Sequence, residues 1–132
     1  NALNIAEELM KYKRFTVIII GGHMRLNSHS TFGPIALNTL SHFANYKLFL
    51  GVDSFSFENG ISTPNMEEAM LNQAMIAQAT EVIAVFDSSK FNKRSFCHIA
   101  HCEQINAIVT DRNLPSSTAT RLKAKNIQLH LA

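Results

Sequence analysis

Apolar and polar residues alternate along the chain with two periods. Spacings of three and four residues between apolar positions predict amphipathic helices, and short continuous apolar runs bounded by glycine or polar residues predict buried strands. The predicted helices cover residues 2–13, 34–43, 66–79 and 117–125, and the predicted strands cover residues 15–20, 46–50, 81–86, 107–110 and 127–131. Residues 53–64, with the turn-forming pair Asn59-Gly60, are expected to form a loop.

The order of these elements predicts the fold class. Strands that are apolar throughout and alternate with helices indicate an α/β fold, with a mostly parallel sheet and helices on both faces. Ligands of such sheets bind outside the carboxyl ends of the strands. This rule marks four places, which are Gly21-Gly22, residues 51–54, residues 87–90 and Asp111-Arg112.

Composition narrows the class of protein. The 132 residues suit one domain, and 46% hydrophobic with 17% charged residues is typical of a globular protein. The net charge of +2 and two short basic clusters, expected at helix ends, do not indicate a DNA-binding surface. No apolar run reaches the roughly 18 residues of a membrane helix, so we expect a cytoplasmic location and no membrane partner. The start at Asn1, directly in a helical pattern, suggests that a longer chain precedes this piece.

The strongest local motif is Asp87-Ser88-Ser89-Lys90-Phe91, directly after a predicted strand. A loop in this position offers backbone N–H groups, two hydroxyls and one ammonium to a small anion. Charge-assisted hydrogen bonds to phosphate are roughly twice as strong as neutral ones. The alternative is a solvent-exposed turn that Asp87 caps.

Two further loops carry candidate binding residues. Gly51 permits close approach of a ligand to the backbone, and Asp53 can accept hydrogen bonds from sugar hydroxyls. An ion pair between Asp53 and Lys90 with a purely structural role is equally compatible with the sequence. Gly21-Gly22 is more often a turn than a site, and no dinucleotide or phosphate-loop fingerprint is present.

The cysteines and histidines do not predict a metal site. Cys97-His98 and His101-Cys102 lack the separated ligand pairs of structural zinc sites, which need four ligands. We therefore expect no metal and no cofactor. No serine lies in the Gly-x-Ser-x-Gly turn of hydrolases, so nucleophilic catalysis also has little support.

Taken together, the motifs resemble those of the sensor domains of DeoR-type transcriptional regulators. The resemblance follows the chain in order and covers nearly all of it. The matching segments are residues 1–6, Ile19-Ile20-Gly21-Gly22, residues 31–34, residues 50–54 with Asn59-Gly60, Glu67-Glu68-Ala69, Met75-Ile76, residues 87–91 and residues 108–111. Residues 87–91 match the family's D-S-S-K-F in full, whereas Ser54 and Phe55 stand where glycine and isoleucine are commoner.

The resemblance implies a bacterial repressor whose sensor domain binds a phosphorylated sugar and catalyses nothing. It also implies a fold similar to that of ribose-5-phosphate isomerase and CoA transferases, and assembly as a homodimer or homotetramer. A helix-turn-helix for operator DNA and the first part of the sensor would precede Asn1. That first part would include the G-T-T turn, the phosphate cradle of the family, so the resemblance leaves the phosphate contact itself unassigned. The implied effector-binding residues are Gly21, Gly22, Gly51, Asp53, Glu68 and Lys90.

Two other functions fit parts of the sequence. An isomerase of sugar phosphates could use Asp53 as the base and Lys90 as an electrostatic stabiliser. The loop at residues 51–54 has only one acidic residue, however, and the isomerases that it resembles carry several. A structural oligomerisation module would leave the polar residues at the strand ends unexplained.

Overall fold

The protein is described here by a computed structural model that covers residues 1–132. The chain divides into two compact units, Asn1–Phe43 and Ala44–Ala132. The first unit contains two helices and a two-stranded antiparallel sheet, in the order α1 (Leu3–Met10), β1 (His23–Arg25), β2 (Ser30–Phe32) and α2 (Pro34–Leu40). Both predicted helices of this unit are confirmed, and each ends about three residues earlier than expected.

The predicted strand at residues 15–20 is wrong. These residues form no regular element, and 61% of Ile18 is exposed. β-Branched residues favour extended backbone, but a strand also needs a neighbour for its ladder of hydrogen bonds. The Thr31 hydroxyl donates to the Ile20 carbonyl, which ties the end of this segment to β2.

The second unit is built on a four-stranded parallel sheet in the order β3-β6-β8-β9. The predicted α/β fold is therefore confirmed. The strands are β3 (Tyr46–Gly51), β6 (Ala79–Val85), β8 (Ala107–Thr110) and β9 (Gln128–Leu131), as predicted to within two residues at either end. Leu48, Leu50, Val82 and Ala84 alternate with more exposed residues along β3 and β6, and together with Ile108 of β8 they form much of the buried core.

A three-stranded antiparallel sheet, missed by the sequence analysis, lies in the same unit. Its order is β4-β5-β7, formed by β4 (Ser54–Ser56), β5 (Gly60–Thr63) and β7 (Cys97–Ala100). The predicted loop at residues 53–64 is thus largely a hairpin. Gly60 closes it with a φ of 65°, and a Cβ atom there would lie 2.0 Å from the Ala100 carbonyl oxygen.

Two helices of the second unit follow the predicted pattern. α3 (Met66–Gln78) begins after Asn65, whose side chain accepts a hydrogen bond from the Glu68 N–H at 2.9 Å, and α4 (Ser116–Ala124) precedes β9. An N-terminal cap of this kind stabilises a helix by roughly 1 kcal/mol. None of the helices is long and apolar enough to span a membrane.

Candidate functional site

The loops that follow β3, β6 and β8 share one edge of the parallel sheet. Gly51 pairs with Val85, and Val85 pairs with Val109, so the three strands end at the same level. Asp53, Asp87 and Asp111 each lie two residues beyond the paired residue of their own strand. This edge, called the rim below, is the place that strand order predicted for a ligand.

Main-chain and aromatic contacts join the first two rim loops. Phe55 and Phe91 form a parallel bridge, and the Lys93 N–H donates to the Phe55 carbonyl at 3.1 Å. Beneath them, the ring of Phe55 lies 5.7 Å from that of Phe86 and 5.1 Å from that of Phe91. The fold therefore brings the segment with Asp53 beside the segment with Lys90.

Hydrogen bonds of serine hydroxyls also connect the chain after Asp53 with the chain after Lys90. The hydroxyls of Ser54 and Ser95 lie 2.8 Å apart, and the Ser95 N–H donates to the Ser62 hydroxyl at 2.9 Å. Ser54 and Ser62 are buried.

Asp53 is half-buried and belongs to a cluster of oxygen atoms. The hydroxyl of Thr63 lies 2.8 Å from Asp53 Oδ2 and 3.1 Å from Glu68 Oε2. Glu68 is 8% exposed and lies in the first turn of α3, where the helix dipole favours a negative charge. The structure thus brings together Asp53 and Glu68, two predicted site residues, through a threonine that the sequence analysis did not select.

The motif at residues 87–91 forms a single turn of 3-10 helix, Ser88–Lys90. Asp87 caps this turn by accepting from the Ser89 N–H at 2.9 Å. The pKa of Asp87 is lowered, chiefly by its hydrogen bonds to Ser89 and with a smaller contribution from the charge of Lys90. The turn predicted as the alternative to a site is therefore present, and Asp87 caps it as that alternative proposed.

Lys90 is half-buried in this turn and lies outside the ion pairs that structure the second unit. Those pairs join Lys47 to Glu81, Arg94 and Arg121 to Glu58, and Lys125 to Glu103. The side chain of Lys90 therefore provides a cation at the rim that is not held by a carboxylate within ion-pair distance. The predicted alternative, a closed ion pair between Asp53 and Lys90, is not formed.

Asp111 supports the rim from the third strand. Its carboxylate accepts from the Ser88 N–H at 2.6 Å, from the Ser88 hydroxyl at 3.0 Å and from the Asn113 N–H at 2.8 Å. The backbone hydrogen bonds from Ser88 and then Asn113 are the main reasons why the pKa of Asp111 is lowered. The sequence analysis marked Asp111 by its position only, and nothing in the sequence indicated its partner Ser88.

The predicted glycines differ in what surrounds them. No atom lies within 4 Å of a Cβ built on Gly51, so the backbone there is open to a neighbour. Gly21 and Gly22 belong to the first unit. Gly22 has a φ of 133°, and a Cβ there would lie 2.3 Å from the Phe32 carbonyl oxygen, whereas Gly21 meets only the Ile35 side chain at 4.0 Å. Local packing within that unit therefore accounts for the glycine at position 22.

The cysteine and histidine segment spans β7 and the turn after it. The rings of His98 and His101 have centroids 4.4 Å apart, and burial, followed by the charge of His101, lowers the pKa of His98. Cys102 is buried, with its Sγ atom 3.6 Å from the Phe57 carbonyl oxygen. No group of three or more His, Cys, Asp or Glu side chains is arranged to hold a metal ion.

Comparison with known proteins establishes the family. The model of the DeoR C-terminal sensor domain matches residues 1–112. The chain belongs to this family. The match covers the whole of the first unit, the second unit up to Arg112, and all six predicted site residues.

The relatives of this sensor domain are transcriptional regulators. The chain is 35% identical over 131 residues to a proposed repressor of the aga operon in Escherichia coli O157:H7, covering 99% of the chain and 49% of the relative. It is 31% identical over 126 residues to the transcriptional repressor GlcR of Bacillus subtilis, covering 96% and 48%. It is 28% identical over 131 residues to the glycerol-3-phosphate regulon repressor of Escherichia coli K12, covering 99% and 52%.

The sensor domain thus spans about half the length of the curated relatives it matches. These relatives are named as regulators and not as enzymes, in agreement with the prediction of a non-catalytic domain. Two of the names specify the genes that are controlled, the aga operon and the glycerol-3-phosphate regulon.

Proposed function

We propose that this sensor domain binds a phosphorylated sugar at the rim of its parallel sheet and thereby modulates DNA binding by a DeoR-type repressor. The observation that carries the proposal is the position of Lys90 and Asp53. They follow adjacent parallel strands at the same edge, and the bridge between Phe55 and Phe91 holds their loops together.

The chemistry of the rim suits a ligand with an anionic end and a hydroxyl-bearing end. The Lys90 ammonium and the N–H groups of its turn suit a phosphate, and the carboxylates of Asp53 and Glu68 suit sugar hydroxyls. The open space beside Gly51 leaves room for a ligand against the backbone. The regulons in the relatives' names, such as that of glycerol 3-phosphate, support a small phosphorylated effector.

The remaining parts of the proposal concern the whole protein. We infer that a helix-turn-helix and the first part of the sensor precede this segment, that the protein works in the cytoplasm, and that it binds operator DNA as a homodimer or homotetramer. Effector binding changes DNA affinity only if the effector binds two states of the repressor assembly with different affinities. A coupling of about 1–3 kcal/mol would change operator affinity by roughly 5–150-fold.

The test is a thermal unfolding experiment on the full-length protein. Glycerol 3-phosphate, glucose 6-phosphate, ribose 5-phosphate and inorganic phosphate are each added. A ligand at 100 times its Kd stabilises the folded state by about 2.7 kcal/mol, which is expected to raise Tm by about 5–10 °C. NMR of the same samples should show that no sugar phosphate is converted. Conversion that Asp53→Asn abolishes would support an isomerase instead.

Lys90→Ala tests the anionic end of the site. We expect it to weaken binding of the most stabilising sugar phosphate by at least about tenfold, because a charge-assisted hydrogen bond is lost, with little change in the Tm of the free protein. Lys123→Ala is the matched control, since Lys123 is an exposed lysine on α4. Equal affinity in both variants would remove Lys90 from the site, and absence of binding by every sugar phosphate would overturn the proposal.

A further inference from the structure

One hydroxyl group connects the two carboxylates of the proposed site. Thr63 Oγ1 lies 2.8 Å from Asp53 Oδ2 and 3.1 Å from Glu68 Oε2. A hydroxyl has a single proton, so it donates fully to one carboxylate at a time or divides its proton between the two. Asp53 comes from the loop after β3 and Glu68 from the first turn of α3. Thr63 therefore ties the loop after β3 to the first turn of α3.

Thr63 is a rigid donor. It is 2% exposed, and its backbone is held in the β5–β7 ladder opposite Cys97. Its β-branched side chain has few rotamers, so the direction of the hydroxyl is set by the strand. Pro64 and the cap residue Asn65 follow at once and α3 begins at Met66, so Glu68 lies close to Thr63 along the chain. The hydroxyl of Thr63, which solvent scarcely reaches, is thus one of the groups that hold both carboxylates in place.

We propose that Thr63 is a positioning residue that presents Asp53 and Glu68 as a paired acceptor for adjacent hydroxyls of the sugar. This inference rests on the proposed function and deepens it, because it assigns an orientation to the ligand. The hydroxyl-bearing end lies toward Asp53 and Glu68, and the anionic end lies toward Lys90. Thr63 acts through the carboxylates and does not itself touch the ligand.

The proposed orientation predicts that loss of Thr63 and loss of Lys90 affect the binding of sugar phosphate and inorganic phosphate differently. Loss of the Thr63 hydroxyl disturbs the carboxylate end alone. It should weaken the binding of a sugar phosphate but leave the binding of inorganic phosphate unchanged. Loss of the Lys90 ammonium should weaken both ligands. A purely structural role for Thr63 would lower stability without this difference between ligands.

The experiment measures the affinity of the full-length protein for glucose 6-phosphate, ribose 5-phosphate, glycerol 3-phosphate and inorganic phosphate. Thr63→Val removes the hydroxyl at nearly constant shape, and Thr63→Ser keeps it. For Thr63→Val we expect about a tenfold loss of affinity for the sugar phosphate that binds most tightly, equivalent to one hydrogen bond to a charged group. Thr63→Ser should restore most of the affinity. Thr118→Val, at another buried threonine, is the matched control and should bind as the parent does.

Each other outcome has a definite meaning. If Thr63→Val binds the sugar phosphate as tightly as the parent, or loses sugar phosphate and inorganic phosphate equally, the positioning role is wrong and the proposed function stands. If the parent binds none of the sugar phosphates, the proposed function is overturned and the inference with it. Should Thr63→Val fail to fold, Thr63→Cys replaces the hydroxyl by a weak donor of similar size. The same selective loss for sugar phosphates is then required, and unchanged affinity would overturn the positioning role.

Discussion

Ser88 binds the carboxylate of Asp111 twice, through its N–H at 2.6 Å and through its hydroxyl at 3.0 Å. The two residues follow neighbouring parallel strands, so this pair holds the rim turn of residues 88–90 against the end of β8. The arrangement uses the ionised carboxylate as the acceptor. It therefore connects the geometry of the proposed site to the protonation of one aspartate.

The first prediction follows from this pair. The folded-state pKa of Asp111 is lowered, so its contribution to stability is present above the ordinary aspartate pKa of about 3.9 and is lost as pH falls through the lower folded value. The pKa of Asp87 is lowered in the same direction. We expect stability to fall on acidification through this window. Urea unfolding of Asp111→Asn between about pH 5 and pH 2.5 should show a weaker pH dependence than the parent.

Asp87→Asn is a useful companion to this variant. It should also weaken the dependence of the free energy of unfolding on pH in the same acidic range, because the pKa of Asp87 is lowered as well. Asp111→Asn would in addition loosen the Ser88 turn and weaken sugar phosphate binding. Parallel stability curves for Asp111→Asn and the parent would show that Asp111 does not contribute as proposed.

The second prediction compares two glycines at the ends of strands. A Cβ on Gly60 would clash with the Ala100 carbonyl and require a left-handed backbone, whereas a Cβ on Gly51 meets no atom within 4 Å. We expect Gly60→Ala to lower the free energy of unfolding by about 3 kcal/mol or more, and Gly51→Ala to change it by about 0.5 kcal/mol or less. Denaturant titrations measure both values. Similar stabilities of the two variants would contradict the geometry of the β4–β5 hairpin.

Gly51→Ala also probes the proposed ligand site. If the ligand lies against the backbone at Gly51, a methyl group there should weaken sugar phosphate binding while the fold stays intact. An unchanged affinity would place the ligand away from Gly51.

The strands of the parallel sheet and the helices could be predicted because short stretches of sequence indicate them. Strands β6 and β8 consist mostly of apolar residues, as buried parallel strands do, and Asn65 with Glu67 and Glu68 is typical of a helix start. Residues 15–20 show the limit of this reasoning. Their β-branched composition favours a strand, but pairing depends on a neighbour that composition does not reveal. Similarly, Ser54-Phe55-Ser56 alternates polar and apolar residues, but this run of three is short for a strand and was included in the loop expected at residues 53–64.

The candidate site was predictable in outline only. The rule for parallel sheets selected the loops of Asp53 and Lys90 from strand order. Their partners come from elsewhere in the chain: Thr63 is 10 residues from Asp53, and Ser88 is 23 residues from Asp111. Such pairs depend on register and on the β4–β5 hairpin, which was expected to be a loop. Gly21 and Gly22, in the first unit, stay predictions as effector contacts.

The third prediction concerns Thr110 at the end of β8. Thr110 is 3% exposed, and its hydroxyl oxygen has no hydrogen-bond partner. A buried hydroxyl without a partner carries a desolvation cost, so replacing it with a methyl group of similar shape should be favourable. We expect Thr110→Val to raise the free energy of unfolding by about 1 kcal/mol. Thr110→Ser, which keeps the hydroxyl and removes the methyl group, should be less stable than the parent. A destabilised Thr110→Val would show that the hydroxyl has a partner in solution.

The last prediction separates the two thiols. Cys102 is 2% exposed, and burial raises the pKa of its thiol, whereas Cys97 is half-buried at the start of β7. Alkylation requires both access and the thiolate form, so Cys97 should react first with iodoacetamide in the native protein and Cys102 should react only on unfolding. Mass spectrometry of peptides from a time course measures both rates. In Cys97→Ser the native protein should be nearly inert, and in Cys102→Ala the fast reaction should persist with some loss of stability. Rapid labelling of Cys102 in the native state would mean that the turn after β7 opens readily, and the packing of Cys102 against the Phe57 carbonyl would then be wrong.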